Sequence, residues 1–362
     1  MDRSITMLEV AKAARVSCAT VSRALRDDPR ITSEVIKRVK AEATKLGYSP
    51  NPLIQALMTQ RRRKQSHEGE ALALITNVPD NGWQKKDVCL WYLKGIQKRA
   101  RQLGYHLEIF SLGSLKGDAE RLRKVLQARG IRGVILGFSE KDDQPMKLDV
   151  SDFCVVGLST YFRQLPVDRV QLHGFFNVKL AFEKMRAQGY RRPALIAPVR
   201  NNTIVGGQWS AAALNEQWQR PVEEQCPPLI VEGDQVNMTL FRQWMEQHQP
   251  DALLVYKFNA LELLERLRLK VPEDIGVAYL FGTETERQNM AGIDGNLDQV
   301  GAAAVDLLVQ KMHVHDRGIP EHLRDVLITG SWKDGPSLPV RPAQKRSAPL
   351  SKKTPAPARA QR

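Results

Sequence analysis

Residues 6–25, TMLEVAKAARVSCATVSRAL, constrain this chain more than any other stretch. They read as two short helices joined by a tight turn. Thr6 and Glu9 have the spacing of a capping box, in which the hydroxyl serves an orphan N–H and the carboxylate reaches back. Leu8, Val10, Ala11 and Ala14 give the first helix an apolar side. The run Ala14-Arg15-Val16-Ser17 breaks that helix, and Ser17 is a good N-cap for a second one. In the second helix Val21, Ala24 and Leu25 can turn inward, which leaves Cys18, Ala19, Ser22 and Arg23 facing outward. This is helix-turn-helix geometry, in which the second helix enters a major groove N-terminus first.

The pattern continues. RDDPRI is a turn, Thr32 or Ser33 can cap a third helix running to about Leu46, and Gly47 stops it at the C′ position. The whole run from Thr6 to Asn51, with VS-x-ATVSRAL and LGYSPN as its most specific parts, resembles the DNA-binding head of the lactose-repressor (LacI/GalR) family. The resemblance implies a sequence-specific regulator of transcription, a repressor, that binds a palindromic double-stranded DNA operator as a homodimer and answers to a small-molecule effector, a sugar or other metabolite. It implies phosphate contacts from Thr6, Ser17, Thr20, Arg30 and Tyr48, which carry suitable donors. Cys18 and Ala19 fall at the two base-facing positions that vary most in the family, with Ser22 beside them. Arg23 falls where the family often sets an arginine on guanine. A guanidinium fork matches guanine O6 and N7 bidentately, for ~1–3 kcal/mol of discrimination.

Asn51 can cap a short helix with Pro52 at its first position. In the family that helix folds on DNA and wedges a leucine into the minor groove, and Leu57 falls at that place; the alternative is an ordinary core leucine. Wedging kinks the duplex at a cost repaid by wider contact. Ile54 stands where the family has a small residue, and the linker from Met58 to Glu70 is longer than usual. Its RRRK run (Arg61 to Lys64) either holds phosphates or is simply solvated.

Charge supports a nucleic-acid partner. The formal net charge of +14 is unevenly placed. Residues 1–65 carry 14 basic and 6 acidic side chains, and residues 341–362 carry 7 basic and none acidic. The remainder is close to neutral. A basic head is the electrostatic footprint of a phosphate-binding module. The start lacks the apolar stretch of a signal peptide and no run is long enough to span a membrane, so the expected location is the cytoplasm, on the nucleoid, with no membrane partner. Cys18, Cys89, Cys154 and Cys226 are scattered, which argues against zinc or a disulfide frame.

From Ala71 short apolar runs alternate with amphipathic helices. ALALITNV, YHLEIFSL, IRGVILGF and DFCVVGLS read as strands, and after Val170 the pattern restarts with PALIAPV, DALLVYKF and IGVAYLF. Such alternation predicts βαβ units and parallel sheets with right-handed crossovers. Two successive sets predict an α/β core of two Rossmann-like lobes behind an all-α head, and the phrases KMRAQGYRRPALI and VPEDIGVAYL resemble the periplasmic-binding-protein-like core of the same family. The expected divisions are residues 1–49 for the head, 50–70 for hinge and linker, 71–335 for the core and 336–362 for a disordered basic tail, which either touches DNA non-specifically or has no role. Segments near 169–173, 292–295 and 316–322 are expected to cross between lobes, and 323–332 to form one last strand.

In the family the effector sits at strand carboxyl ends between the lobes, held by an arginine, an Asn-Asp pair and an acid. Here Gly206 or Gly207, then Lys257 and Phe258, then Phe281 and Gly282 stand in those places. The replacement candidates are Asn77, Phe138, Tyr161, Trp209, Lys257, Asn259 and Phe281, an aromatic set with one cation suited to a sugar face or planar ring. The alternatives are a DNA binder without an effector, regulatory or architectural, and an enzyme. No glycine-rich phosphate loop, nucleophile elbow or metal-ligand cluster supports an enzyme, and neither cofactor nor metal is expected.

Overall fold

The computed structural model describes residues 5–25, 30–48, 69–114, 118–139, 148–233, 235–281 and 290–341. Three helices come first: α1 (Met7–Ala13), α2 (Cys18–Ala24) and α3 (Ser33–Lys45). They bury Val10, Ala11, Ala14, Val21, Ala24, Val39 and Ala43 in one small core of their own. Only small residues lie at its centre, because short helices joined by a tight turn approach closely. Leu8 is 55% exposed, against expectation. Val10, Ala11 and Ala14 share one helical stripe, and a residue two positions from Val10 lies on the far side.

The chain forms two compact units, Met1–His173 with Gly295–Ser331, and Gly174–Asp294 with Trp332–Arg362. The first unit holds β1 (Ala71–Asn77), α4 (Asp87–Gln102), β2 (His106–Ser111), α5 (Ala119–Ala128), β3 (Gly133–Ser139), β4 (Cys154–Leu158) and β5 (Arg169–Leu172). The second contributes α6 (Gly174–Ala187), β6 (Pro193–Pro198), α7 (Val199–Ile204), α8 (Gln208–Trp218), β7 (Leu229–Val231), α9 (Met238–His248), β8 (Ala252–Val255), α10 (Ala260–Glu265), β9 (Gly276–Leu280) and β10 (Ala291–Asp294). The chain then returns through α11 (Leu297–Val314) and β11 (Asp325–Ile328), and β12 (Ser331–Lys333) closes the second sheet.

The first sheet runs β11-β5-β4-β3-β1-β2, and its strand pairs are parallel. The second runs β12-β10-β9-β8-β6-β7, with β10 to β7 parallel throughout. Period-two alternation sets the layers. Leu72 and Leu74 face α4 and α11, while Ala73 and Ile75 face α5. In the second unit Leu195 and Ala197 face α6 and α8, while Ala194 and Ile196 face α9 and α10. Both faces are covered, so the strands are apolar throughout rather than alternating with polar residues. Helices α4 and α11 meet backbone to backbone at Gly95 and Gly301, where a Cβ would overlap the carbonyls of Asp298 and Tyr92.

The chain passes between units at His173–Gly174 and Asp294–Gly295, as expected near 169–173 and 292–295. Residues 169–172 and 291–294 are in addition strands, too short and too mixed (RVQL, AGID) to announce themselves in sequence. Residues 316–322 belong to the first unit, and the third passage between units falls at Ser331–Trp332. A buried ionic knot holds that loop: Lys311 Nζ lies 2.8 Å from Asp168 and 2.9 Å from Asp316, and Arg324 meets both acids. The expected single strand over 323–332 is two strands in two different sheets. The described residues also run past residue 335. Ser337 and Leu338 are buried, Leu338 against Tyr190 and Gly276.

Candidate functional site

The head presents one polar helix face on a fixed base. The Thr6–Glu9 capping box forms, with Glu9 Oε2 accepting from the Thr6 N–H at 2.7 Å and from its hydroxyl at 2.9 Å. The turn into α2 passes through Arg15 at φ 54°, a left-handed residue that lets the chain reverse within four positions. Ser17 then caps α2, its Oγ accepting from the Thr20 N–H at 3.1 Å and lying 2.9 Å from Thr20 Oγ1. With Val21 and Ala24 fully buried, Ala19 and Arg23 stand exposed one turn apart on the opposite face, and Ser22 is half-buried beside them. The α3 cap is Thr32, and Gly47 follows the helix at φ 68°.

Among the residues expected to touch phosphate, Thr6, Ser17 and Arg30 are exposed, while Thr20 and Tyr48 are half-buried. Tyr48 packs on the head core, and burial, then the neighbouring Cys18, push its hydroxyl above the ordinary tyrosine value. Cys18 is half-buried rather than fully outward, because the first turn of α2 lies over the same core. Asn51, Leu57 and the RRRK run lie outside the described residues.

The effector candidates gather into two aromatic clusters, one in each unit. In the first unit Phe138 and Tyr161 meet edge to face at 5.8 Å, and Trp83 and Tyr92 complete the group at 5.3 Å and 6.4 Å from Phe138. Phe138 is fully buried there, whereas Tyr161 and Asn77 are partly exposed. Asn77 pairs in register with Ser139, so it and Phe138 share the carboxyl end of adjacent strands. In the second unit Trp209 lies 4.6 Å from Tyr256 and 6.2 Å from Phe281. Its indole N–H is buried with no hydrogen-bond partner among the described residues, and Gly174 sits against it. Burial raises the Tyr256 hydroxyl above its ordinary value. Lys257 and Asn259 are exposed, the latter capping α10 through a 3.3 Å bond to the Glu262 N–H. Gly282 lies outside the described residues.

Lys257 at φ 70° and Phe281 at φ 62° follow β8 and β9, which are sheet neighbours. A left-handed backbone at a bulky residue costs energy, and Lys257 and Phe281 both carry that cost at adjacent strand ends. Sequence reasoning missed Trp83, Tyr92 and Tyr256. Tyr256 was within reach, since it follows the apolar run of β8 directly; Trp83 and Tyr92 carried no local signal.

The family model for bacterial regulatory proteins of the lacI family matches residues 6–51, and that for the periplasmic binding protein-like domain matches residues 182–337. The chain thus joins a head that matches the lacI family to a domain that is similar to periplasmic binding proteins. Among related proteins, the HTH-type transcriptional regulator PtxS of Pseudomonas putida is 27% identical over 188 residues, 52% of this chain and 52% of that one. The transcriptional regulator Rv3575c of Mycobacterium tuberculosis is 28% identical over 40% of this chain and 38% of its own. The chain thus spans about half or less of the length of these relatives. The HTH-type transcriptional repressor CytR of Escherichia coli is 23% identical over 92% of this chain and 97% of its own. The lac repressor dimer bound to operator and the anti-inducer ONPF superimposes with a TM-score of 0.51 at 20% identity, over 93% of this chain and 100% of that one. The CelR–cellobiose complex gives 0.53 at 17% identity, over 92% and 99%. These superpositions support the fold.

No group of three or more His, Cys, Asp or Glu side chains among the described residues is placed to hold a metal. Among the same residues no helix is long and apolar enough to cross a membrane.

Proposed function

We propose that this protein is a cytoplasmic, sequence-specific regulator of transcription, a repressor, which reads a near-palindromic DNA operator as a homodimer. The carrying observation is the face of α2. Ala19 and Arg23 are exposed one turn apart while Val21 and Ala24 anchor the same helix in the head core. In this reading Arg23 takes a guanine edge, Ala19 a thymine methyl, and Thr6, Ser17, Thr20, Arg30 and Tyr48 fix the register on phosphates. Two symmetric heads double a small footprint and make the site palindromic. Leu240 and Leu261, 60% and 45% exposed on α9 and α10, offer apolar surface for a second copy. Asn51 and Leu57 belong to the hinge that would wedge the central base step.

We also infer a small-molecule effector at the strand carboxyl ends; the candidate contacts are Trp209, Phe281, Lys257 and Asn259 in the second unit, and Asn77 and Tyr161 in the first. The strained backbone at Lys257 and Phe281 supports this reading. A ligand that prefers one arrangement of the units shifts the population by its differential affinity and no more. The second reading, a DNA binder without effector, is favoured by Phe138, which is spent on core packing. In vitro selection from random duplex DNA with the full-length protein tests the DNA reading. A palindrome with a kinkable central step such as CG is the expected product, and recovery of no motif overturns it. Calorimetry of the purified protein against sugars and nucleosides separates the two effector readings.

A further inference from the structure

A buried donor in the second unit lies unpaired where a helix begins. Helix α6 opens at Gly174 and Phe175, and α8 supplies the side chains that meet this end. Gln208 Oε1 accepts from the Phe175 N–H at 3.3 Å. Trp209, the next residue, sets its indole against Gly174: a Cβ built there would lie 2.8 Å from Gln208 Oε1 and 3.1 Å from Trp209 Nε1. Trp209 is 4% exposed, and its N–H meets no acceptor among the described residues. Buried donors are nearly always paired, so one left over beside a helix amino end calls for a missing partner.

This end of α6 belongs to the strand-end site. Helix α6 packs on the sheet through Val178, Ala181 and Phe182 and leads into β6, so it runs against the strands and starts at their carboxyl ends. Trp209 marks the same end, with its ring 4.6 Å from Tyr256 and 6.2 Å from Phe281, which directly follow β8 and β9. Donors gather here. The first N–H groups of a 14-residue helix carry partial positive charge, the indole adds a neutral N–H, and Lys257 follows Tyr256. Of the described acids at this end of the sheet, Asp294 is paired with Lys333 at 2.6 Å, and Glu232 follows the edge strand β7, two places from β8. A sugar hydroxyl placed at the start of α6 brings a proton that needs an acceptor of its own. A carboxylate or phosphate brings only acceptors.

We propose that the effector is an anion, whose carboxylate or phosphate displaces the Gln208 side chain at the start of α6, one oxygen accepting from the Phe175 N–H and another from the Trp209 indole N–H. The proposal rests on the reading of an effector at these strand ends and adds its chemical class. Gln208 is then a placeholder. Its amide oxygen covers the helix end through one long bond, and it is half-buried, so it swings out without disturbing the core. The half-buried rings of Tyr256 and Phe281 are left to meet the body of the ligand.

The test is calorimetry on the full-length protein with two sets of probes: D-glucose against D-gluconate and glucose 6-phosphate, and adenosine against adenosine monophosphate. An anion should bind at least about tenfold more tightly than its neutral parent, the value of one to two hydrogen bonds to a charged group; gluconate against glucose 6-phosphate tells carboxylate from phosphate. Trp209→Phe keeps a ring and removes the N–H, and should cut the anion-to-neutral ratio about tenfold. Gln208→Glu fixes a carboxylate at the helix end. It should raise the melting temperature without ligand and abolish the preference for anions, and it carries the test if Trp209→Phe does not fold. Neutral parents that bind as tightly as their anions overturn the anion subsite and leave the effector reading standing. A preference that survives both substitutions places the anion elsewhere and also overturns it. No binding by any probe overturns the subsite and the effector reading together.

Discussion

Arg23→Ala isolates base reading from every other role of the head. Arg23 is exposed in the last turn of α2 and packs on nothing in the head core, and alanine is the better helix former, so the substitution leaves the head folded. What is lost is one fork on one base edge, worth ~1–3 kcal/mol, or about 5- to 150-fold per half-site. A dimer loses this twice, so operator affinity should fall by about 2–6 kcal/mol. The non-specific cost is smaller, because one cation per head changes the salt slope by about 0.9. Arg23→Lys completes the design, since it keeps the charge and loses the planar fork. Anisotropy titrations on the selected operator and on a scrambled duplex, with the three proteins at matched salt, give the discrimination ratio. Both variants should collapse that ratio while binding the scrambled duplex within a few-fold of the parent. If Arg23→Lys keeps the full ratio, or if Arg23→Ala weakens both duplexes equally, Arg23 is a phosphate contact and the base assignment fails.

Four further outcomes follow from the packing and the charges. Gly95→Ala drives a Cβ into the Asp298 carbonyl at the α4–α11 crossing, and should lower the urea midpoint by the equivalent of about 1–3 kcal/mol. Burial raises the Asp168 carboxyl, but hydrogen bonds from Arg324 and Lys311 outweigh it and hold the group below its ordinary value. Stability from a depressed carboxyl is present at neutral pH and is lost as pH falls from about 3.9 through the folded-state pKa, so Asp168→Asn should flatten the acid limb of a stability–pH curve. Cys226 is fully buried and pushed up to about 12, which keeps it a neutral thiol near pH 8; an aromatic disulfide reagent should label Cys18 well before it. Lys257→Gly relieves a left-handed backbone and should raise the melting temperature slightly, by the equivalent of about 0.5–1 kcal/mol, while weakening any effector response.

The head and the lobes were not equally readable. In the head each signal is local: the Thr6–Glu9 box, the Ser17 cap and Gly47 at φ 68° all act within three or four residues of their own position, and all formed. The long buried strands were readable for the same reason, since ALALITN needs only its own apolar run to declare itself. Four-residue strands were not. RVQL becomes β5 because β4 and β11 present unpaired edges to it on either side, and neither edge is visible from residues 169–172. The loop at 316–322 was expected to be a crossing by likeness to two-lobe proteins, but its acid at 316 is one corner of an ionic knot whose other corners are 168, 311 and 324.

The strand ends show why site residues are harder to read than folds. From sequence, Phe138, Tyr161, Trp209 and Phe281 were equivalent: aromatic candidates for the strand-end site. Packing separates them. Phe138 points into the face of the sheet covered by α4, where Trp83 and Tyr92 fill the space around it, so its ring stabilises the lobe. Tyr161 and Phe281 stop part-way out, and Phe281 does so on a left-handed backbone at φ 62°. A fold needs each aromatic to be buried somewhere. A binding site needs particular ones kept available at a conformational cost, and that cost is the one property here that no run of sequence records. Lys257 and Phe281 bear it together at neighbouring strand ends, which makes them, ahead of the better-packed Trp209 and Phe138, the residues on which an effector response should depend.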